Sequence, residues 1–322
     1  MTDVRRLLRR LTPLGFPALI VVLLPMAWIL DDYATKTLTS ILVLGLLAVS
    51  VALLTGVAGL PTLGQTAPYL VGAYTAATLV RHDVSIGVVQ LLAAAGAGAV
   101  FALVTAPLVV YARGVVVLMI TLALGELTMT VAGRWKSVTN GTDGMLAFAA
   151  PAPLPGLVTL DTDRSTYLYV LTVVAVLVGI MLLVLRSPAG ALLRAARDGE
   201  NRMRASGHPV AGYLTVAYVA AGALAGAAGS LLVTVERYVS PGAGGFDISA
   251  LVLLAVVIGG ATSLIGALLG AGLVVATRDW IASRDWFGGS MAGHAPLVLG
   301  GLFILCVYLL PRGLLGKRSA HE

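Results

Sequence analysis

The chain is a succession of long apolar runs from Gly15 to Pro311, parted by short polar breaks, and this pattern limits its fold more than any other feature. A helix of about 20 mostly apolar residues crosses about 30 Å of hydrocarbon. Such runs fall at 15–30, 38–57, 65–80, 86–111, 115–133, 166–185, 212–235, 248–263, 265–281 and 295–311. With 58% hydrophobic and 11% charged residues, the chain is too apolar for a soluble domain of its length. Apolar and polar residues do not alternate, which argues against a membrane β-barrel. The expected fold is an all-α integral membrane protein of about ten transmembrane helices, forming one polytopic domain over 1–322. The Gly259-Gly260 pair shortens the eighth run, so 248–281 also reads as two broken or re-entrant segments, with nine or eleven crossings as the alternatives.

Charge gives an orientation, because short cytoplasmic loops carry an excess of Lys and Arg. Placing the N-terminus inside puts 13 of the 21 basic residues on that side: Arg5, Arg6, Arg9, Arg10, Arg113, Arg186, Arg194, Arg197, Arg202, Arg204, Arg312, Lys317 and Arg318. Both termini, the N-terminal arm 1–14 and the loop 186–212 are therefore expected in the cytoplasm, and the loop 134–165 outside. The basic start followed by an apolar run resembles a secretory signal, but no small-x-small site precedes Asp31-Asp32, so the first span is expected to stay attached. The net charge of +6 is read as topology and contact with anionic membrane lipid; no basic stripe with interleaved aromatics indicates nucleic acid.

The chain contains no G-x-x-x-x-G-K-[ST] phosphate loop, no H-E-x-x-H and no G-x-S-x-G elbow. His82, His208, His294 and His321 are scattered, which argues against a metal site. Cys306 is the one cysteine and forms no intramolecular disulfide. No catalytic residue and no cofactor are expected. Coupled carriers place several ionisable groups inside their spans, whereas only Glu126 qualifies here. Energy for pumping then has to come from other subunits.

The polar island 186–212 carries five arginines, Arg186, Arg194, Arg197, Arg202 and Arg204, and interrupts the apolar pattern. Ser187-Pro188-Ala189-Gly190 reads as a helix start, and the following Ala191-Leu192-Leu193-Arg194-Ala195-Ala196-Arg197 has strong helix propensity. Leu192, Ala195 and Ala196 are expected on one small apolar face, Gly199 interrupts the helix, and Gly207-His208-Pro209 stops it. A short amphipathic helix with charged rims fits a groove on a partner protein. A solvated loop that is basic for topology alone is the other reading.

The segment from Ser187 to Glu200 resembles the S-P-x-G-x-x-L-R-A-x-R-[DE] stretch of the LivM-type permease subunits of branched-chain amino-acid ABC importers. Gly59-Leu60-Pro61-Thr62-Leu63-Gly64-Gln65 with Gly72-Ala73-Tyr74 is similar to that family's G-L-P-S-L-G-Q…G-A-Y, and Thr121-Leu122-Ala123-Leu124-Gly125-Glu126 to its T-L-A-x-G-E. Thr139-Asn140-Gly141-Thr142-Asp143-Gly144 and Leu310-Pro311-Arg312-Gly313-Leu314 match two further motifs in order. Where relatives carry aromatics, this chain has Thr66-Ala67-Pro68 and Val115-Val116-Val117, which implies a differently shaped route.

The resemblance implies a type II ABC-importer permease in a bacterial inner membrane. Its partners would be a second homologous permease subunit, two cytoplasmic ATPase subunits and an external solute-binding protein. Gly190, Leu193, Arg194, Ala195, Arg197, Asp198 and Glu200 would couple to the ATPases, and the substrate would be a branched-chain or related small amino acid. Urea, short amides and a self-sufficient carrier for a small neutral solute stay open.

Glycine-rich breaks at 56–61 and 259–263 mark either a substrate route or close helix packing. Gly64, Gln65, Tyr69, Tyr74 and Glu126 are the candidate path residues; the tyrosines and Gln65 read equally as interfacial anchors. Glu126 is expected to be protonated or hydrogen-bonded to neighbouring helices, because a bare carboxylate in lipid costs several kcal/mol. The turn-rich Asn140 to Asp143 knot, with Pro151, Pro153 and Pro155 after it, is a candidate docking point for the binding protein or an ordinary connection.

Overall fold

A computed structural model describes residues 15–147, 152–153, 160, 162–282, 300–301 and 313–314. The arm 1–14, most of the span 295–311, Pro151, Pro155, Cys306, Arg312 and the C-terminal basic residues lie outside the described residues. The helices, in order, are α1 (Gly15–Ile29), α2 (Asp32–Ala52), α3 (Thr66–Arg81), α4 (Gly87–Val110), α5 (Val115–Arg134) and the short α6 (Lys136–Thr139). They continue with α7 (Asp163–Arg186), α8 (Pro188–Ala205), α9 (Val210–Glu236), α10 (Phe246–Gly259) and α11 (Leu264–Ala282). Two-residue strands β1 (Met145–Leu146) and β2 (Tyr238–Val239) pair antiparallel, with Met145 opposite Val239.

Among the described residues, six helical segments are long and apolar enough to cross a membrane: Asp32–Ala58, Gly87–Val110, Val115–Arg134, Asp163–Arg186, Val210–Glu236 and Pro241–Gly259. Each coincides with an apolar run in the sequence. The run 38–57 begins six residues late, because Asp31, Asp32 and Lys36 interrupt it; Asp32 nonetheless starts the helix, where a carboxylate favours the dipole of the first turn. The run 166–185 likewise opens early, at Asp163, where the Thr162 amide donates to Ser165 Oγ at 3.3 Å.

The helix α9 is the centre of the bundle and packs against α4, α3 and α2. Small residues let these backbones meet. Gly222 lies against Gly98, Gly226 against Ala94 and Gly72, and Gly229 against Tyr69, each without room for a Cβ. Between helices already in lipid, close backbone approach of this kind supplies the packing energy that the hydrophobic effect cannot. Around this seam Leu46, Leu47, Leu231, Tyr167 and Tyr218 are fully buried. The Tyr167 hydroxyl donates to the Leu23 carbonyl at 2.7 Å and fastens α7 to α1. On the periphery, α4 and α5 present Leu103, Val104, Leu108, Val116, Met119 and Leu127 outward.

The sequence 248–281 forms an antiparallel hairpin, α10 and α11, in which Gly259 meets Gly266 and Gly270 meets Ala255. Its 14-residue first arm is only about 21 Å long, the short segment foreseen from the Gly259-Gly260 pair.

Candidate coupling helix and transport elements

The chain reverses at Ser187 and runs into α8 with Pro188 in its first turn, where the missing amide costs no hydrogen bond. Gly190 packs so closely on the Leu185 carbonyl that a side chain has no room, and Arg194 Nη1 donates to that same carbonyl at 3.0 Å. Together they fold α8 back across the end of α7. Gly199 (φ −170°, ψ 65°) kinks α8 without ending it, and the helix stops at Ala205, before Gly207 (φ +81°).

Leu193, Ala196 and Met203 face the bundle and are buried. Ala191, Ala195 and Asp198 point away from it, and Arg194 is exposed although its guanidinium reaches the Leu185 carbonyl. The common face expected for Leu192, Ala195 and Ala196 is divided: Ala196 is buried, Leu192 half-buried and Ala195 exposed, since consecutive residues lie about 100° apart around a helix. Of the predicted coupling residues, Leu193 anchors α8 to the bundle, while Arg194, Ala195 and Asp198 are open to a partner.

Arg197 and Glu200 turn sideways onto other elements. Arg197 Nη1 donates to the Gly56 carbonyl, and its aliphatic stem lies over Gly59. Glu200 accepts from Arg113 Nη2, in the α4–α5 loop, and pairs with Arg204 Nη2 at 2.8 Å. One helix on the end of the bundle thus holds α7, the α4–α5 loop and the end of α2.

Gly56 belongs to a π-helical turn, Leu53–Ala58, that widens the end of α2 and closes at Gly59 in the left-handed region (φ +75°). Single π turns recur at functional sites because they offset the helix axis and free backbone groups. Gly56 lies directly on the Ala261 carbonyl, so the two glycine-rich breaks, distant in sequence, are one contact in space. After this turn residues 59–65 run as non-helical backbone. Gly64 lies against the Thr121 carbonyl with no space for a Cβ, and the Leu63 amide donates to Thr121 Oγ1 at 3.2 Å. Thr121 is about 9 Å into α5, so this irregular segment is satisfied by protein within the span.

The predicted path residues do not converge on one point. Gln65 is buried, and neither its Nε2 nor its Oε1 has a hydrogen-bond partner among the described residues. Next to it Thr66 Oγ1 and Ser249 Oγ are 2.8 Å apart and tie α3 to α10. Tyr69 lines a cavity bounded by α2, α9, α10 and α11. Tyr74 lines a separate groove between α3 and α5, of about 380 Å³, with its hydroxyl unpartnered among the described residues. Glu126 is exposed on α5 and makes no hydrogen bond or ion pair with the described residues; of the two expected states, the bond to neighbouring helices is not found among them. The helix turns this face away from the bundle.

At the opposite end from α8, Asn140 (φ +62°) closes its own turn by donating from Nδ2 to the Gly144 carbonyl at 2.9 Å. The Tyr238 hydroxyl donates to the Asp143 carbonyl at 3.0 Å. Asn140 and Asp143 remain exposed, on the rim of a cavity of about 380 Å³ that also includes Arg81.

Residues 33–307 match the family described as branched-chain amino acid transport system / permease component. The chain belongs to this permease family. It is 31% identical over 307 residues to the high-affinity branched-chain amino acid transport system permease protein LivM of Escherichia coli (strain K12), covering 88% of this chain and 69% of the relative. Identity to LivM of Salmonella typhimurium is 30%, with the same coverage. The probable permease LivH of Methanocaldococcus jannaschii is 28% identical over 280 residues, or 82% of this chain and 84% of that protein. No solved structure matches. As a permease of this family with six helical segments long enough to span among the described residues, the chain is a multi-pass membrane protein.

Sequence reasoning missed three parts of this arrangement. Thr121 opens the Thr121–Glu126 motif, but nothing in the sequence pairs its hydroxyl with the Leu63 amide. The Arg113–Glu200 pair joins residues in separate loops, although both lie on the side assigned inside by charge. The contact between the glycine breaks had a signal in their matching composition, which indicated a pair but not that they touch.

Proposed function

We propose that this chain is the transmembrane subunit of an ATP-driven importer for branched-chain or closely related small amino acids in a bacterial inner membrane, with ten crossings and both termini in the cytoplasm. Half of the translocation pathway lies in this chain and half in a second, homologous permease. One of two ATPase subunits docks on α8 through Arg194, Ala195 and Asp198, and an external binding protein docks near Asn140 and Asp143. The names and matched lengths of the relatives support the substrate class.

The observation that carries the mechanism is the link from Arg197 to the Gly56 carbonyl. Movement of α8 by closing ATPases acts through Arg197 on the π turn, and through Gly56 on the α10–α11 hairpin. A helix bonded to the first break, which in turn rests on the second, transmits a switch between two discrete arrangements, the requirement for alternating access. Glu126 fits the same picture, because a mid-span carboxylate on an outward face is stable only where protein or a water-lined route covers it.

The test is uptake of labelled leucine by vesicles containing the chain with its ATPase, second permease and binding protein. Uptake that requires ATP and all four components is the expected result. Leucine movement by the chain alone, without ATP, replaces this reading with a self-sufficient carrier.

A further inference from the structure

At the end of the bundle opposite α8, the helices α2, α9, α10 and α11 enclose a cavity of about 440 Å³, within the range of small-molecule sites. Three of them contribute in the same manner. On α2, Lys36 stands at the mouth and Val43 and Leu44 line the wall about two turns deeper. On α9, Glu236 is at the mouth with Leu232 one turn deeper, and on α11 Arg278 and Asp279 follow Val275. Ile248 from α10 completes an aliphatic wall against Tyr69.

The mouth therefore holds two cations and two carboxylates, and the interior holds branched aliphatic side chains together with Thr37, Ser40 and Tyr69. Lys36 Nζ and Glu236 Oε2 are 4.0 Å apart with both side chains about half exposed, so neither charge is locked into a tight pair. Among the described residues, Arg278 and Asp279 form no ion pair. A mouth of one sign would repel one end of a zwitterion, and an uncharged mouth would leave both ends unpaired on desolvation. Here each end has an opposite charge to meet.

We infer that this cavity is a binding site, within this subunit alone, for a zwitterionic α-amino acid with a branched aliphatic side chain. The carboxylate meets Lys36 and Arg278, the ammonium meets Glu236 and Asp279, and the side chain enters the wall formed by Val43, Leu44, Leu232 and Ile248. The inference rests on the permease reading and extends it, because it gives the solute a station lined by residues of this one chain.

Labelled L-leucine binding to the full chain in lipid nanodiscs tests it, with L-leucinol, which lacks the carboxylate, and 4-methylpentanoate, which lacks the ammonium, as competitors. Losing one charged contact is expected to weaken binding at least about tenfold, so each analogue competes at least that much more weakly than leucine. Glu236→Gln is expected to show a similar loss, and Ile248→Trp, which fills the interior without touching a charge, to abolish binding in a protein of normal size-exclusion profile. Equal competition by all three ligands, no leucine binding, or binding indifferent to both variants overturns the site. The permease reading fails separately: if leucine uptake by the assembled vesicles does not need this chain, that reading falls even where leucine binds the cavity as described.

Discussion

Arg197 on α8 donates to the carbonyl of Gly56, inside the π turn that ends α2, and its stem covers Gly59. The bond joins the surface offered to the ATPases to the irregular backbone inside the span. Arg197→Ala is expected to leave the ATPase bound but to uncouple it. Removing one charge-assisted bond costs about 1.5–3 kcal/mol, enough to lower uptake at least about tenfold. Parallel measurement of ATP hydrolysis and leucine uptake checks this; equal loss of both would show that Arg197 serves assembly instead.

The two faces of α8 predict opposite failures. Ala195→Glu with Asp198→Arg changes charge only at exposed positions of the open face and is expected to release the ATPase in a mild-detergent pull-down, with the second permease retained. Leu193→Ala is expected to leave the open face chemically intact and to loosen the helix instead. A buried leucine truncation costs about 2–5 kcal/mol, read as faster proteolysis within 186–212. Retention of the ATPase by the double variant sinks the docking surface.

Glu126 is expected to lie against protein in the assembled transporter. A cysteine introduced by Glu126→Cys should cross-link to the second permease through a short bifunctional reagent, and Glu126→Gln should lower uptake at normal expression. Unchanged uptake removes Glu126 from the mechanism, and accessibility only to lipid-phase reagents removes the contact.

The spans were legible because lipid imposes length and apolarity locally. The run 86–111 corresponds to Gly87–Val110, and 115–133 to Val115–Arg134. The kink at Gly199 and the stop before Gly207 were legible for the same local reason. The contact of Gly56 with Ala261 was not, since it joins two helix ends with no shared local rule. Which side of α8 is covered, and where α5 turns Glu126, depend on neighbouring helices, and hydrophobic periodicity carries little information when nearly every residue in a span is apolar. For the same reason nothing in the sequence marks Lys36 and Arg278 as two sides of one cavity mouth.

The seam along α9 predicts a sharp contrast between glycines. Gly226→Leu pushes a side chain into the backbone of α4 at Ala94 and Gly98, which cannot yield, and overpacking of this kind costs about 1–3 kcal/mol or more. Gly96→Leu, on the same α4 but with nothing within 4 Å of an added Cβ, is expected to be tolerated. Fluorescence-detected size exclusion after heating distinguishes them: equal losses for both would mean that the seam contributes nothing particular to the fold.

Gln65 provides the most direct comparison between stability and transport. Its amide is buried with no partner among the described residues, and an unsatisfied buried polar group costs about 1–3 kcal/mol. Gln65→Met keeps the length and removes that cost, so the variant is expected to melt at a higher temperature. If the amide waits for a polar solute or for a second conformation of the 59–65 segment, the same variant loses leucine uptake. A higher melting temperature with uptake unchanged would show that Gln65 is a tolerated defect of packing and has no place on the route.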